Sequence, residues 1–399
     1  MTDRGRSDSA GHAPHPVSLP RAKGTIAALN FATVAVYSDL YIPQPILPLL
    51  SKEFGVRPAT AGLTISVAVL MIALVSFLYG SLSDSVGRKP VMVTSCLLLA
   101  APTLACAFAP SFRALLFFRA LQGLLMPGVT AVAVAYIGDY YSGADLGPKV
   151  GGWIAASVAG GLTGRVLSGL LAAWFNWRTP FLFFGSLTVL GAVAIARGLP
   201  SGAASETVRL AQAYRGMLAH LRHRRLVGAF LIGGTVFFAF IGVFTYLPYY
   251  LTAAPFHLST AVVSSVYLVY SAGVLTSLAI GRLSPRFGSR NVMAAGFLIG
   301  IGAVLATLPH FLPTIVAALV ILCVGMFTVQ STAPAFVNAN ARGAKGAAGS
   351  IYVTFYYVGA SLGSVLPGFA LQSWGWPGVV AVCVGALVAG LLADIVLCV

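Results

Sequence analysis

Residues 80–89 read G-S-L-S-D-S-V-G-R-K: a long apolar run stops, and ten residues carry one acid, two bases and two glycines. Two hundred and one places on, residues 281–290 read G-R-L-S-P-R-F-G-S-R, so that Gly80, Leu82, Ser83, Gly87 and Lys89 fall over Gly281, Leu283, Ser284, Gly288 and Arg290, and Val91 and Met92 over Val292 and Met293. A second register, shifted by 199, sets Gly160, Gly164, Gly169 and Trp177 over Gly359, Gly363, Gly368 and Trp376. Two registers near half the chain length mark an internal repeat.

What is repeated follows from composition. Of 399 residues 58% are apolar and 8% charged, and the mean hydropathy is +0.91. A water-soluble domain of that make-up has too little polar surface to cover its core, so the solvent is lipid. A spanning helix needs about 20 apolar residues. Twelve such runs are predicted, at 25–50, 59–81, 91–109, 112–137, 148–173 and 179–198, then 226–252, 259–281, 291–309, 312–337, 347–372 and 376–397. The expected fold is an all-α membrane protein of two six-helix bundles: a polar tail at 1–22, a first bundle at 23–198, a linker at 199–225 and a second bundle at 226–399.

The basic residues orient the chain, because Lys and Arg are retained in cytoplasmic segments. With the N-terminus inside, eighteen of the 24 fall on the inner side, among them Arg88, Lys89, Arg197, Arg224, Arg225 and Arg290. Only Lys52, Arg57, Arg113 and Arg178 fall outside, and Arg119 and Arg165 fall within spans. Both termini are therefore expected in the cytoplasm and the protein in the cell's inner membrane. The net charge of +15 then follows from topology and anionic lipid, with no nucleic-acid partner. Cys96, Cys106, Cys323, Cys383 and Cys398 all lie in apolar runs, which disfavours a disulfide framework. No His-Cys-Asp set has metal-ligand spacing. No phosphate loop of the G-x-x-x-x-G-K-[ST] kind is present either, so neither metal, cofactor nor ATP is expected, and energy should come from an ion gradient.

The loop between spans two and three resembles the signature of the major facilitator superfamily, G-x-L-x-D-x-x-G-R-[KR], through Gly80, Leu82, Asp84, Gly87, Arg88 and Lys89. Arg119, Gln122 and Gly123 in span four resemble its R-x-x-Q-G pattern. Ser38 to Pro43 with Pro48 is similar to the T-D-M-Y-L-P-x-L-P stretch of its twelve-span drug:proton antiporters. The resemblance implies alternating access and a latch at the loop that holds the outward-open state. In physical terms, Gly80 should let two helices meet closely and Gly87 should permit a tight reversal. Asp84 can pair with Arg88 or accept from a neighbouring helix N-terminus. The second copy has Pro285 and Ser289 in place of Asp84 and Arg88, so any latch is asymmetric.

Charges inside spans are the leading functional candidates, since each costs about 2.5–3.5 kcal/mol on insertion scales unless paired or wet. Asp39, Arg119 and Arg165 lie at depths that let them meet in the outer half of the first bundle. Either Asp39 is a carboxylate that alternates between proton and substrate, or it belongs to a structural ion pair joining spans one, four and five. Span five resembles the antiporter pattern G-x-x-x-G-P-x-x-G-G only in part: Gly160, Gly164 and Gly169 are present, but Arg165 takes the proline position and Ser168 a glycine position. Two arginines against one aspartate would suit an anionic substrate. Tyr37, Tyr41 and Gln44 share a face of span one opposite Asp39. With Gln122, Tyr246, Gln330 and Tyr356 they are the expected cavity lining; Gly160, Gly164, Gly169, Gly359 and Gly363 are the expected packing glycines. The reading is a monomeric transporter that exports a small organic molecule against protons. A facilitator or importer of a small metabolite such as an organic anion is the alternative, and a membrane scaffold the alternative of another class.

Overall fold

In the computed structural model, residues 24–200, 220–341 and 345–398 are described. The tail and most of the expected linker lie outside the described residues. Every regular element among them is a helix. Among the described residues ten helices are long and apolar enough to cross a membrane. One of these, Gly346–Leu397, is 52 residues long, enough for two crossings, and Ser289–Leu305 is a shorter apolar helix that completes the repeat at twelve.

The first bundle runs Thr25–Phe54, Pro58–Val86, Arg88–Ala107 and Phe112–Tyr140, followed by Leu146–Trp174 and Thr179–Gly198. The second runs Arg224–Thr252, Thr260–Val266 continued by Tyr270–Phe287, Ser289–Leu305, Leu312–Asn340, Lys345–Gly363 and Leu366–Leu397. Leu74, Phe117, Leu275, Leu298 and Trp374 are all more than half exposed, as befits side chains that face lipid.

Proline and glycine set the breaks. Pro43 and Pro45 interrupt span one, which passes through a 3-10 turn at Gln44–Ile46 before resuming at Leu47–Phe54. Pro127 breaks span four in the same way, and the span runs on to Tyr140, three residues beyond its predicted end. The predicted gap between spans eleven and twelve, at 373–375, shrinks to Gly375, whose φ of +63° only glycine adopts readily; a second bend falls at Ser364 and Val365, before Pro367. Between spans two and three a single residue, Gly87 at φ +103°, makes the reversal, and Gly288 at φ +81° repeats it in the second bundle.

The repeat is also visible in packing. A Cβ on Gly160 would stand 2.6 Å from the Val34 carbonyl oxygen, and one on Gly164 2.5 Å from that of Ser38. In the second bundle Gly359 lies against Gly234 and Gly363 against Phe238. Span five thus meets span one as span eleven meets span seven, backbone to backbone, at matching positions about 200 residues apart. Gly169 instead faces Ser264, across the boundary between the bundles.

Candidate functional site

The bundles touch at the face away from the Gly87 reversal. There Gln44 donates to Thr245 Oγ1 at 3.1 Å, the hydroxyls of Ser51 and Tyr249 lie 2.5 Å apart, and those of Ser66 and Ser361 lie 2.7 Å apart. At the other, basic face they stand apart: a Cβ added to Gly80, Gly346 or Gly349 would meet nothing within 4 Å. The expectation that Gly80 mediates a close helix contact therefore does not hold in this conformation, because no neighbouring helix comes within 4 Å of where its Cβ would stand.

Between the bundles lies a cavity of about 250 Å³, lined by Tyr37, Tyr41, Trp153, Ser157, Arg165, Phe237, Phe240, Tyr270, Phe327, Gln330, Tyr356 and Tyr357 together with Ile154, Val158 and Gly161. It shares Tyr37, Trp153 and Tyr357 with a wider space of about 670 Å³ that runs between Ser76 of span two and Gly346 of span eleven toward the basic face. Among the lining residues of both, Arg165 is the one charged side chain. Phe237 and Tyr356 stack at 3.7 Å, and Gln330 donates to the Tyr356 hydroxyl at 2.6 Å.

Arg165 is 2% exposed. Its guanidinium lies 3.5 Å from the Tyr41 ring centroid and 4.6 Å from that of Tyr270. Nε donates to Gln44 Oε1 at 2.6 Å and Nη1 to the Gly161 carbonyl at 2.7 Å. Both acceptors are neutral, and among the described residues no carboxylate lies within ion-pair distance.

Asp39 and Arg119 sit on the far side of span one, turned from the cavity. The carboxylate takes hydrogen bonds on Oδ2 from Thr188 at 2.8 Å and Thr103 at 3.2 Å, while Oδ1 is buried without a partner. Arg119 donates to the main-chain oxygens of Asp39, Leu40 and Thr64 at 3.0, 2.7 and 2.7 Å, and to Gln122 Oε1 at 2.6 Å. Gln122 in turn donates to Thr103 Oγ1 at 2.6 Å. The three intramembrane charges do not meet: a two-residue step along a helix turns about 200°, so Tyr41, against Arg165, faces away from Asp39.

Four of the expected lining residues, Tyr37, Tyr41, Gln330 and Tyr356, do line the cavity. Three do not. Gln44 is buried as the link between Arg165 and Thr245, Gln122 belongs to the Arg119 network, and Tyr246 donates to the Ser364 carbonyl at 2.6 Å within the second bundle. Trp153, Phe237, Phe240 and Tyr270 are lining residues with no motif to flag them, and Thr103 and Thr188 had no signal at all.

At the basic face, Arg88 pairs with Asp84 at 2.6 Å and Asp139 at 3.0 Å, and donates to Ser83 Oγ at 2.6 Å. Asp139, at the end of span four, was missed by sequence; an acid at the basic end of a span was the available signal. All four residues belong to the first bundle, and the cluster makes no hydrogen bond or ion pair to the second among the described residues.

The profile of the Major Facilitator Superfamily matches residues 29–361 and 251–399. The inner membrane transport protein YnfM of Escherichia coli (strain K12) is 33% identical over 94% of the chain and 90% of that protein. The uncharacterized MFS-type transporter YybF of Bacillus subtilis (strain 168) is 31% identical over 91% of the chain and 90% of that protein. Among solved structures, a bacterial homolog of the human lysosomal transporter Spinster, in an inward-facing and unoccupied conformation, superposes with a TM-score of 0.75 at 18% identity over 96% of the chain and 95% of its own. The chain belongs to the major facilitator superfamily, as a membrane transporter of that type.

Proposed function

We propose that the protein works by alternating access and exports a small organic molecule in exchange for protons, with Asp39 as the proton-carrying group. The observation that carries this reading is the cavity between the bundles, closed at one face by Gln44–Thr245 and Ser51–Tyr249 and open at the other between Ser76 and Gly346. A site between two rigid halves can be exposed to either side by rocking them about it. The open face carries Arg88, Lys89, Arg224 and Arg290, which the distribution of basic residues assigns to the cytoplasm; cargo would then be loaded from inside. The similarity of span one to drug:proton antiporters and the inner-membrane description of YnfM support direction and location. Asp39 suits a proton carrier because its Oδ1 is buried with no donor, Oδ2 is held only by two hydroxyls, and its backbone is bonded to Arg119 at the bend of span one.

Proteoliposomes test the reading. A naphthalene sulfonate, the matching neutral sulfonamide and the matching trimethylammonium cation are offered with and without an imposed pH gradient, against protein-free vesicles. At least one should move against its gradient, with proton counterflow, and Asp39→Asn should lose the gradient dependence. Absence of gradient-driven flux for every probe, or unchanged flux in Asp39→Asn, would overturn it.

A further inference from the structure

We infer that the cavity is a binding site for an organic oxyanion carried on a flat apolar body, with Arg165 as the residue that holds the anionic group. The inference rests on the transport reading for its consequence but on the cavity alone for its chemistry. Arg165 is the single charge among the lining residues, is 2% exposed, and spends the hydrogen bonds of Nε and Nη1 on a side-chain amide and a main-chain carbonyl. Ring faces of Tyr41 and Tyr270 stabilise the guanidinium without neutralising it. The cavity therefore carries an uncompensated positive charge at its inner wall, in surroundings where opposite charge is strongly favoured.

A second donor stands beside it. Tyr270 is 3% exposed, lines the cavity, and its hydroxyl has no hydrogen-bond partner. An oxyanion accepts from both a guanidinium and a phenol, and the planar guanidinium fork matches a carboxylate or sulfonate. The remaining wall fixes the rest of the molecule. Trp153, Phe237 and Phe240 from spans five and seven, with Phe327 and the stacked Tyr356, offer apolar ring surface and no further charge. A cation would meet Arg165 with no acid to offset it, and a sugar-like polyol would leave most of its hydroxyls facing rings. A cavity of about 250 Å³, sharing its wall with the wider space beside it, accepts a small organic molecule.

The test is binding to the full chain in lipid nanodiscs by isothermal titration calorimetry, with a naphthalene carboxylate, the sulfonate, the sulfonamide and the trimethylammonium cation. Both anions are expected to bind at least tenfold more tightly than the neutral and cationic probes. Arg165→Gln should lose at least tenfold for the anions, and Arg165→Lys should recover part of that loss. Tyr270→Phe keeps the ring and its packing, so it should weaken the anions at least threefold and leave the sulfonamide unchanged. Equal or tighter binding of the cation or the sulfonamide, no binding of either anion, anion affinity unaffected by Arg165→Gln, or equal effects of Tyr270→Phe on charged and neutral probes would each overturn the inference. Its failure is separable from that of the export reading. Gradient-driven movement of the cation without anion binding would remove the anion class and leave exchange standing, whereas tight anion binding without gradient-driven movement would do the reverse.

Discussion

Arg119 donates from Nη1 to the main-chain oxygen of Asp39, 3.0 Å away, and not to the Asp39 carboxylate. Proline explains the arrangement. Pro43 has no N–H, so the helix bond that would end on the Asp39 carbonyl cannot form. Arg119 supplies that donor from span four, and its fork also takes the Leu40 and Thr64 carbonyls. A charge expected to neutralise an acid instead caps a broken helix.

Arg119→Met should therefore destabilise the first bundle heavily. It leaves the Asp39 and Leu40 carbonyls at the break of span one without this donor, at about 1–3 kcal/mol each. Arg119→Lys should recover only part of the loss, because an ammonium cannot span three acceptors held by a planar fork. Thermal unfolding in detergent and hydrogen exchange of residues 38–47 would report it; a midpoint equal to that of the parent would contradict the capping role.

The glycine contacts predict opposite outcomes at two positions. Gly164→Ala brings a Cβ to 2.5 Å from the Ser38 oxygen and must push spans one and five apart, at about 1–3 kcal/mol. Gly80→Leu meets open space in this conformation and should leave the thermal midpoint unchanged. If the basic face closes during transport, the same leucine obstructs closure, so transport should fall while stability does not. Spin labels at positions 76 and 349 would show the longer separation enriched.

Arg88 divides its charge between Asp84 and Asp139, whose side chains are 20% and 51% exposed. Exposed pairs contribute little, so Asp139→Asn should cost under about 1 kcal/mol, less at high salt. Asp84→Asn should cost more, since its contact at 2.6 Å is shorter and better shielded. Comparing both variants at low and high ionic strength checks the order.

Gln44 bonds to Arg165 in its own bundle and to Thr245 in the other. Gln44→Leu removes a hydrogen bond across the closed face, worth about 1 kcal/mol, and should shift the conformational equilibrium roughly fivefold toward opening there. Accessibility of a cysteine placed at Ser51 to an impermeant thiol reagent would rise by a similar factor; unchanged labelling would count against Gln44 as a closure contact.

Much was legible without coordinates. Apolar runs of spanning length and the two repeat registers pointed to the helices and their two bundles, and the short motifs at Gly80–Lys89 and Arg119–Gly123 carried the family resemblance, because each is a pattern along the chain itself. Pairing Asp84 with Arg88 was legible for the same reason, one helical turn apart. What only the tertiary structure decided is who faces whom across helices. Asp39, Arg119 and Arg165 were expected at similar depths, but depth says nothing of which helix packs on which side of span one: Thr103 and Thr188 meet Asp39, while Arg165 meets Tyr41 on the opposite side. Thr103, Thr188 and Asp139 come from separate spans with no common spacing, so no local pattern could gather them. The cavity itself exists only because two similar bundles meet at one face and part at the other, a relation between surfaces that a single strand of residues does not encode locally.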